Sequence, residues 1–186
     1  MKRDIILSLF MQFGVFAFLI SLLIFSPPCF AWPAIVSRVT DGDTIVGKTR
    51  DNTNVRIRLY GIDCPELDQP YGKDAQAFLE SFLLGAHVVI EELEPDHYGR
   101  VVAVVYLVET QKSIQELLLV EGLAWIYPKY CTRAECLSWL EQQNTAQRLR
   151  KGLWSSSSRV PPWIWRKQKK NRATKKRPRV QGAGLF

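Results

Sequence analysis

Val39-Thr40-Asp41-Gly42-Asp43-Thr44-Ile45-Val46-Gly47-Lys48, followed after a short polar stretch by Val55-Arg56-Ile57-Arg58-Leu59-Tyr60, is where the chain commits to strands. Asp41-Gly42 joins an apolar run over 34–40 to a second over 43–48, and Asp-Gly between such runs is the strongest short hairpin signal. Asp51-Asn52-Thr53-Asn54 is a second cluster of turn formers. In the third run Val55, Ile57 and Leu59 alternate with Arg56, Arg58 and Tyr60, so the aliphatics take one strand face and both arginines the other. Ala75, Phe78, Leu79, Phe82 and Leu83 recur at helical spacing ahead of Gly85, which predicts an amphipathic helix over 71–84. Two more strands, over 87–93 and 100–108, flank the turn Pro95-Asp96-His97-Tyr98-Gly99.

Ser113-Ile114-Gln115-Glu116 has capping-box spacing ahead of a leucine run that Gly122 closes, and Thr132-Arg133-Ala134-Glu135 repeats the signature before a third helix. The second box makes Cys131 and Cys136 a hydrophobic-staple pair. They form a disulfide in an exported protein, or pack as reduced thiols in a cytosolic one. A single CxxxxC with two histidines in the chain gives a zinc site little support. Five strands with a helix between the third and fourth predict a mainly β fold with α: a five-stranded Greek-key barrel of the OB type carrying three helices. By itself that fold suggests no more than oligonucleotide binding.

The 186 residues, 47% hydrophobic and 23% charged, suit one domain with appendages and exclude a disordered, collagen-like or repetitive chain. Net charge is +7 but unevenly spread: residues 148–186 hold 13 Lys/Arg and no Asp/Glu, whereas 1–147 hold 12 against all 18 acids. An acidic body with a positive end points to a polyanionic partner, with body carboxylates available to hold a cation.

Residues 1–31 read as a leader. Met1-Lys2-Arg3-Asp4 precedes an apolar run from Ile5 to Phe25, then Pro27-Pro28 and Cys29-Phe30-Ala31. Cleavage after Ala31 would export a mature chain; an uncleaved run would be a membrane anchor with the domain outside the cytoplasm. Pro28 before Cys29 speaks against a lipoprotein site. Residues 32–165 form the domain, and 166–186 a basic tail expected to be disordered. Nine of the fourteen residues from Arg166 to Arg179 are Lys or Arg, a density that attracts nucleic acid and anionic membrane surfaces alike.

Acids and arginines gather at the predicted strand ends: Asp41 and Asp43 at the first hairpin, Arg58, Asp63 and Glu66 around the exit of the third strand, Arg100 opening the fifth. Paired carboxylates offer hard oxygens to Ca²⁺ or Mg²⁺, and guanidiniums offer forked donors to phosphate. Together with a spare carboxylate they describe phosphodiester hydrolysis. Taken alone, Asp41-Gly42 is turn chemistry, and Asn52 stands where an EF-hand needs its bidentate Glu.

Val39-Thr40-Asp41-Gly42-Asp43-Thr44, Arg58-Leu59-Tyr60-Gly61-Ile62-Asp63-Cys64-Pro65-Glu66, Asp96-His97-Tyr98-Gly99-Arg100, Gly122-Leu123-Ala124-Trp125 and Gly152-Leu153-Trp154 follow in order. In order and spacing, the series resembles the staphylococcal nuclease (thermonuclease) family over residues 34–165. The trailing Pro161-Pro162-Trp163-Ile164-Trp165 is similar to a stretch of its bacterial members. The resemblance implies that Asp43, Asp63 and the backbone carbonyl of Cys64 bind Ca²⁺, that Arg58 and Arg100 hold the scissile phosphate, and that Glu66 positions or deprotonates the attacking water. Tyr98 stacks on or hydrogen-bonds the nucleotide, or else packs beside its turn. Cys64 stands in place of a threonine, but its thiol is too soft to be the Ca²⁺ ligand. His97 replaces a lysine.

The function these residues imply is a monomeric, exported, Ca²⁺-dependent nuclease of DNA, RNA or both. Low sequence specificity and 5′ P–O cleavage leaving 3′-phosphates are expected. The rival readings are a non-catalytic OB-fold module binding nucleic acid or protein, and a membrane-anchored DNA-processing accessory.

Overall fold

The computed structural model describes residues 30–176. The apolar leader run and the end of the basic tail lie outside them. In chain order the elements are β1 (Ala31–Val39), β2 (Thr44–Lys48), β3 (Asn54–Leu59), β4 (Ile62–Asp63), α1 (Gly72–Leu83), β5 (His87–Pro95) and β6 (Val101–Leu107). They continue as α2 (Ile114–Val120), β7 (Trp125–Ile126), α3 (Glu135–Arg148), a 3₁₀ turn at Gly152–Ser155 and α4 (Pro162–Lys176). β1, β2, β3, β6 and β5 close a barrel in that order. Only the β3–β6 contact is parallel, as the Greek-key reading requires. Ile45, Ile57, Leu59 and Ile90 fill the interior, and Leu79 and Leu83 of α1 with Ile114 and Leu118 of α2 extend the same core. No helix among the described residues is long and apolar enough to cross a membrane.

Four local findings differ from the sequence expectation. β1 begins at Ala31, earlier than the predicted 34, and pairs Pro33 with Val89. There it faces a neighbour on the β5 side, while its pairing with β2 begins at Ile35, so the missing proline N–H interrupts no second ladder. The first hairpin is a wider turn than two residues: Asp41 Oδ1 accepts the N–H of Asp43 at 3.0 Å, and Thr40 N–H bonds the Thr44 carbonyl at 2.8 Å. Gly42 is there for space. A Cβ on it would lie 2.7 Å from that of Cys64 and 2.8 Å from that of Ala75.

The capping box at Ser113 forms, with its side chain accepting the Glu116 N–H at 3.1 Å, but the one at Thr132 does not. α3 starts at Glu135 after an Ala134 cap without side-chain bonding. The N–H groups of Thr132 and Arg133 instead donate to the Tyr60 hydroxyl, at 2.9 and 3.2 Å. A side chain brought from β3's exit thus satisfies donors that the local sequence was expected to satisfy. Cys131 and Cys136 are disulfide-bonded, and Cys64 is a buried free thiol.

The fourth finding is a helix where disorder was expected. Residues 166–176, read as the start of a disordered tail, belong to α4, so the described residues hold four helices where three were expected. Pro162 lies in the first turn, where a fixed φ favours helix and no N–H is needed. Trp163 stacks on Tyr127 with centroids 5.0 Å apart and stands edge-on to Trp125. The Gln69 side-chain amide donates to the Val160 carbonyl at 2.6 Å. Tertiary anchoring outweighs the charge repulsion that favours disorder in an isolated basic segment.

Candidate active site

The residues that the sequence suggested for chemistry converge at one end of the barrel. The β1–β2 turn contributes Asp41 and Asp43; β3 contributes Arg58, paired across the ladder with Thr44 of β2. Asp63 ends β4, and the chain then runs through Cys64 to Glu66. Gly72 makes that run possible: a Cβ there would fall 1.9 Å from the Glu66 carbonyl oxygen, so the first turn of α1 lies directly against the loop that carries Glu66.

Arg58 is the hub. Its Nη1 meets Asp43 Oδ1 at 2.5 Å and its Nη2 meets Asp63 Oδ1 at 2.9 Å, with the Ile62 carbonyl at 3.2 Å. Its side chain is 14% exposed and that of Asp63 1%, so this is a buried charge cluster. Burial works against the Arg58 charge, but Asp43 and Asp63 outweigh it and hold the guanidinium above its ordinary pKa. Burial also raises Asp63, assisted by Asp43, against the lowering effect of Arg166 and Arg58. Asp41 is pushed up to about 6, by burial and then by the neighbouring Asp43 charge. Carboxylates crowded in this way gain from any further cation placed among them.

The Cys64 N–H donates to Asp43 Oδ2 at 2.7 Å, which orients that carboxylate. The Cys64 thiol donates to the Gly42 carbonyl at 3.0 Å; burial, then Asp43, pushes its pKa well up. A neutral, committed thiol leaves the residue's main chain as its means of holding a hard cation. Among the described residues no three His, Cys, Asp or Glu side chains converge on one metal-sized point. The donor set that fits Ca²⁺ is therefore the Asp43 and Asp63 carboxylates with main-chain and water oxygens, hard ligands that this ion accepts in flexible geometry.

Arg100 lies across Thr44 from this cluster. Its Nη1 is 3.4 Å from Thr44 Oγ1, which is itself 3.4 Å from Asp43 Oδ1. Asp96 receives Nε and Nη2 of Arg100, each at 2.6 Å, and accepts the N–H groups of Tyr98 and Arg100. Asp96 thus shapes the turn and aims the arginine. Tyr98 is 78% exposed, its ring 5.6 Å from the Arg100 Cζ, so it does not pack into the core. His97 is exposed on the same turn.

Sequence reasoning missed Arg166. From the first turns of α4 it reaches Asp63, with Nη2 to Oδ2 at 2.7 Å and Nη1 to Oδ1 at 3.1 Å, and bonds Glu66 Oε1 at 2.7 Å. The available signal was Pro161-Pro162-Trp163-Ile164-Trp165 immediately before it: prolines that start a helix and aromatics that dock one.

One rim of the closed barrel thus gathers buried carboxylates, three arginines and a half-exposed Glu66. The family model described as staphylococcal nuclease homologue matches residues 56–156. An uncharacterized endonuclease of Escherichia coli is 38% identical over 148 residues, 75% of this chain and 93% of that protein. The micrococcal nuclease of Shigella flexneri is 36% identical over 157 residues, 80% and 89% of the two chains. The staphylococcal-like nuclease CAN1 of Arabidopsis thaliana is 44% identical over 115 residues, 62% of this chain and 34% of that one. The chain belongs to the staphylococcal nuclease family.

Proposed function

We propose that this nuclease requires Ca²⁺ and hydrolyses the backbone of DNA, RNA or both, cutting the 5′ P–O bond to leave 3′-phosphates. The observation that carries the reading is Glu66, its side chain 38% exposed, beside the buried Asp43–Arg58–Asp63 cluster. A module that only binds polyanions has no use for a carboxylate facing the phosphate. Asp43, Asp63 and the Cys64 carbonyl would hold the cation, which when bound supplies charge stabilisation at the phosphate oxygens. Arg58 has five N–H donors, enough to keep its acids and still offer one to phosphate. Arg100, oriented by Asp96, offers a second fork. Glu66 accepts a proton from water and aims it in line with the leaving oxygen. Tyr98 gives a nucleotide an exposed ring to stack on.

Backbone donors and charge read no base edges, so sequence specificity should be low. We further propose that a monomer acts outside the cytoplasm. The leader over 1–31 and the Cys131–Cys136 disulfide support export. Intact mass of the native protein tests this, with a mature N-terminus at Trp32 expected and a retained leader pointing to the anchor.

Cleavage of single- and double-stranded DNA and of RNA, in Ca²⁺ and in excess chelator, tests the main reading. Turnover should vanish in chelator and return with Ca²⁺, and the products should carry 3′-phosphates. Undiminished cleavage in chelator overturns the cation requirement; 5′-phosphate products overturn the bond assignment.

A further inference from the structure

Arg166 is brought to the acidic rim from 100 residues beyond Glu66, and several contacts hold its helix there. Trp163 stacks on Tyr127, the Trp165 indole N–H approaches Asp68 at 3.4 Å, and Lys169 pairs with the same Asp68 at 2.5 Å. These anchors lie on both sides of Arg166 in sequence. Its guanidinium spans Asp63 and Glu66, the residues proposed to hold the cation and to direct water.

Asp63 accepts one charged donor from Arg58 and two from Arg166. A carboxylate has about four lone-pair sites, so its capacity is nearly used. A hard cation at 2.3–2.6 Å from those oxygens also meets the positive charge of whichever guanidinium remains. The two arginines differ in how readily they leave. Arg58 is 14% exposed and tied to carbonyls of the barrel as well as to acids, whereas the Arg166 side chain is 43% exposed.

We propose that Arg166 is a resident counter-ion of the acidic seat: a divalent cation loads by displacing it from Asp63 and Glu66, so Arg166 determines how tightly the site holds that cation. This rests on the cation-dependent reading of the nuclease. Displacement has a second consequence, because Glu66 is released from its ion pair in the same event. The base becomes available to water only when the cation is in place. Arg166 is thus a positioning residue acting through two others, and α4 is the element that delivers it.

The test is Ca²⁺ binding by calorimetry on the full chain, without substrate, for the wild type, Arg166→Ala, Arg166→Lys and Trp163→Ala, each checked for folding by circular dichroism. Arg166→Ala should bind Ca²⁺ on the order of tenfold tighter, since a unit positive charge beside the ligands is removed. Arg166→Lys should stay close to wild type, because the charge is kept. Trp163→Ala, which loosens the docking of α4 and leaves every acid in place, should also bind more tightly. In the wild type, Ca²⁺ should change the tryptophan emission as Trp163 and Trp165 move with the helix, and Trp163→Ala should reduce that change.

Equal or weaker Ca²⁺ affinity in folded Arg166→Ala and Trp163→Ala overturns the counter-ion role while leaving the cation requirement standing. Absence of Ca²⁺ binding in every folded variant overturns both.

Discussion

Arg58 and Arg100 look alike in sequence, each near a strand end, yet they are held differently. Arg58 is enclosed by Asp43 and Asp63, and its removal leaves the buried Asp43 without a cationic partner and Asp63 with Arg166 alone. Arg58→Ala should therefore lower both turnover, by on the order of 10²-fold or more, and stability, by about 3–5 kcal/mol, the scale for breaking a buried pair. Arg100→Ala should lower turnover on a similar scale with a smaller loss of stability, because its chief partner Asp96 lies in an exposed turn. Glu66→Gln should match that loss of turnover with stability almost unchanged. Urea denaturation alongside single-turnover kinetics separates the three outcomes, and a Glu66→Gln enzyme of normal rate would falsify its role as base.

Glycines are the other residue-scale determinant. Gly72→Ala drives a Cβ into the Glu66 carbonyl oxygen, which is backbone and cannot swing aside. The expected cost is about 1–3 kcal/mol from overpacking, with a fall in turnover because Glu66 must shift. Unchanged kinetics and unfolding midpoint in Gly72→Ala would mean that the loop yields without moving its carboxylate.

At the scale of elements, α3 shows local and tertiary determinants dividing the work. The disulfide closes a loop with a sequence separation of 5, for which chain entropy gives about 2 kcal/mol. The Tyr60 hydroxyl separately secures the N–H groups of Thr132 and Arg133. Replacing both Cys131 and Cys136 by Ser should cost about that 2 kcal/mol while nuclease activity persists at room temperature, since neither cysteine touches the rim. Combined with Tyr60→Phe the loss should exceed the sum of the separate effects, as both constrain one segment. Thermal unfolding of the single, double and triple variants checks this, and strict additivity would show the two anchors to be independent.

Considered whole, the molecule sets an acidic rim beside a basic helix. Lys167, Lys170 and Arg172 are exposed along α4, which starts beside that rim, and their charges attract the same polyanion that the site cleaves. Replacing all three by Ala should weaken substrate binding and reduce the log–log salt slope by roughly 0.9 for each duplex phosphate that is no longer neutralised. The rate of the bound complex should hold. Affinities measured at about 50 and 200 mM salt decide the matter; an unchanged slope removes α4 from the nucleic-acid interface and makes anionic vesicles the next partner to test.

Most of the barrel and most of the rim were legible in the sequence. Strand alternation from Val55 to Tyr60, helical spacing from Ala75 to Leu83 and the turn residues between them are each complete within a short window, and the backbone's own geometry converts those periods into elements. Asp43, Arg58, Asp63, Glu66 and Arg100 stand at element ends, which a closed barrel gathers at its rim once strand order is known.

What only the tertiary structure decided depends on residues far apart in the chain. Gly42 is needed for the room that Cys64 and Ala75 leave it, and Tyr60 takes over the capping donors of a helix some 70 residues away. A run of lysines and arginines that reads as disordered becomes a helix because Trp163 finds Tyr127 and Arg166 finds Asp63 and Glu66. No local period carries that information. Charge–charge attraction and aromatic stacking act through space, so their partners are chosen only when the barrel closes and brings them within reach.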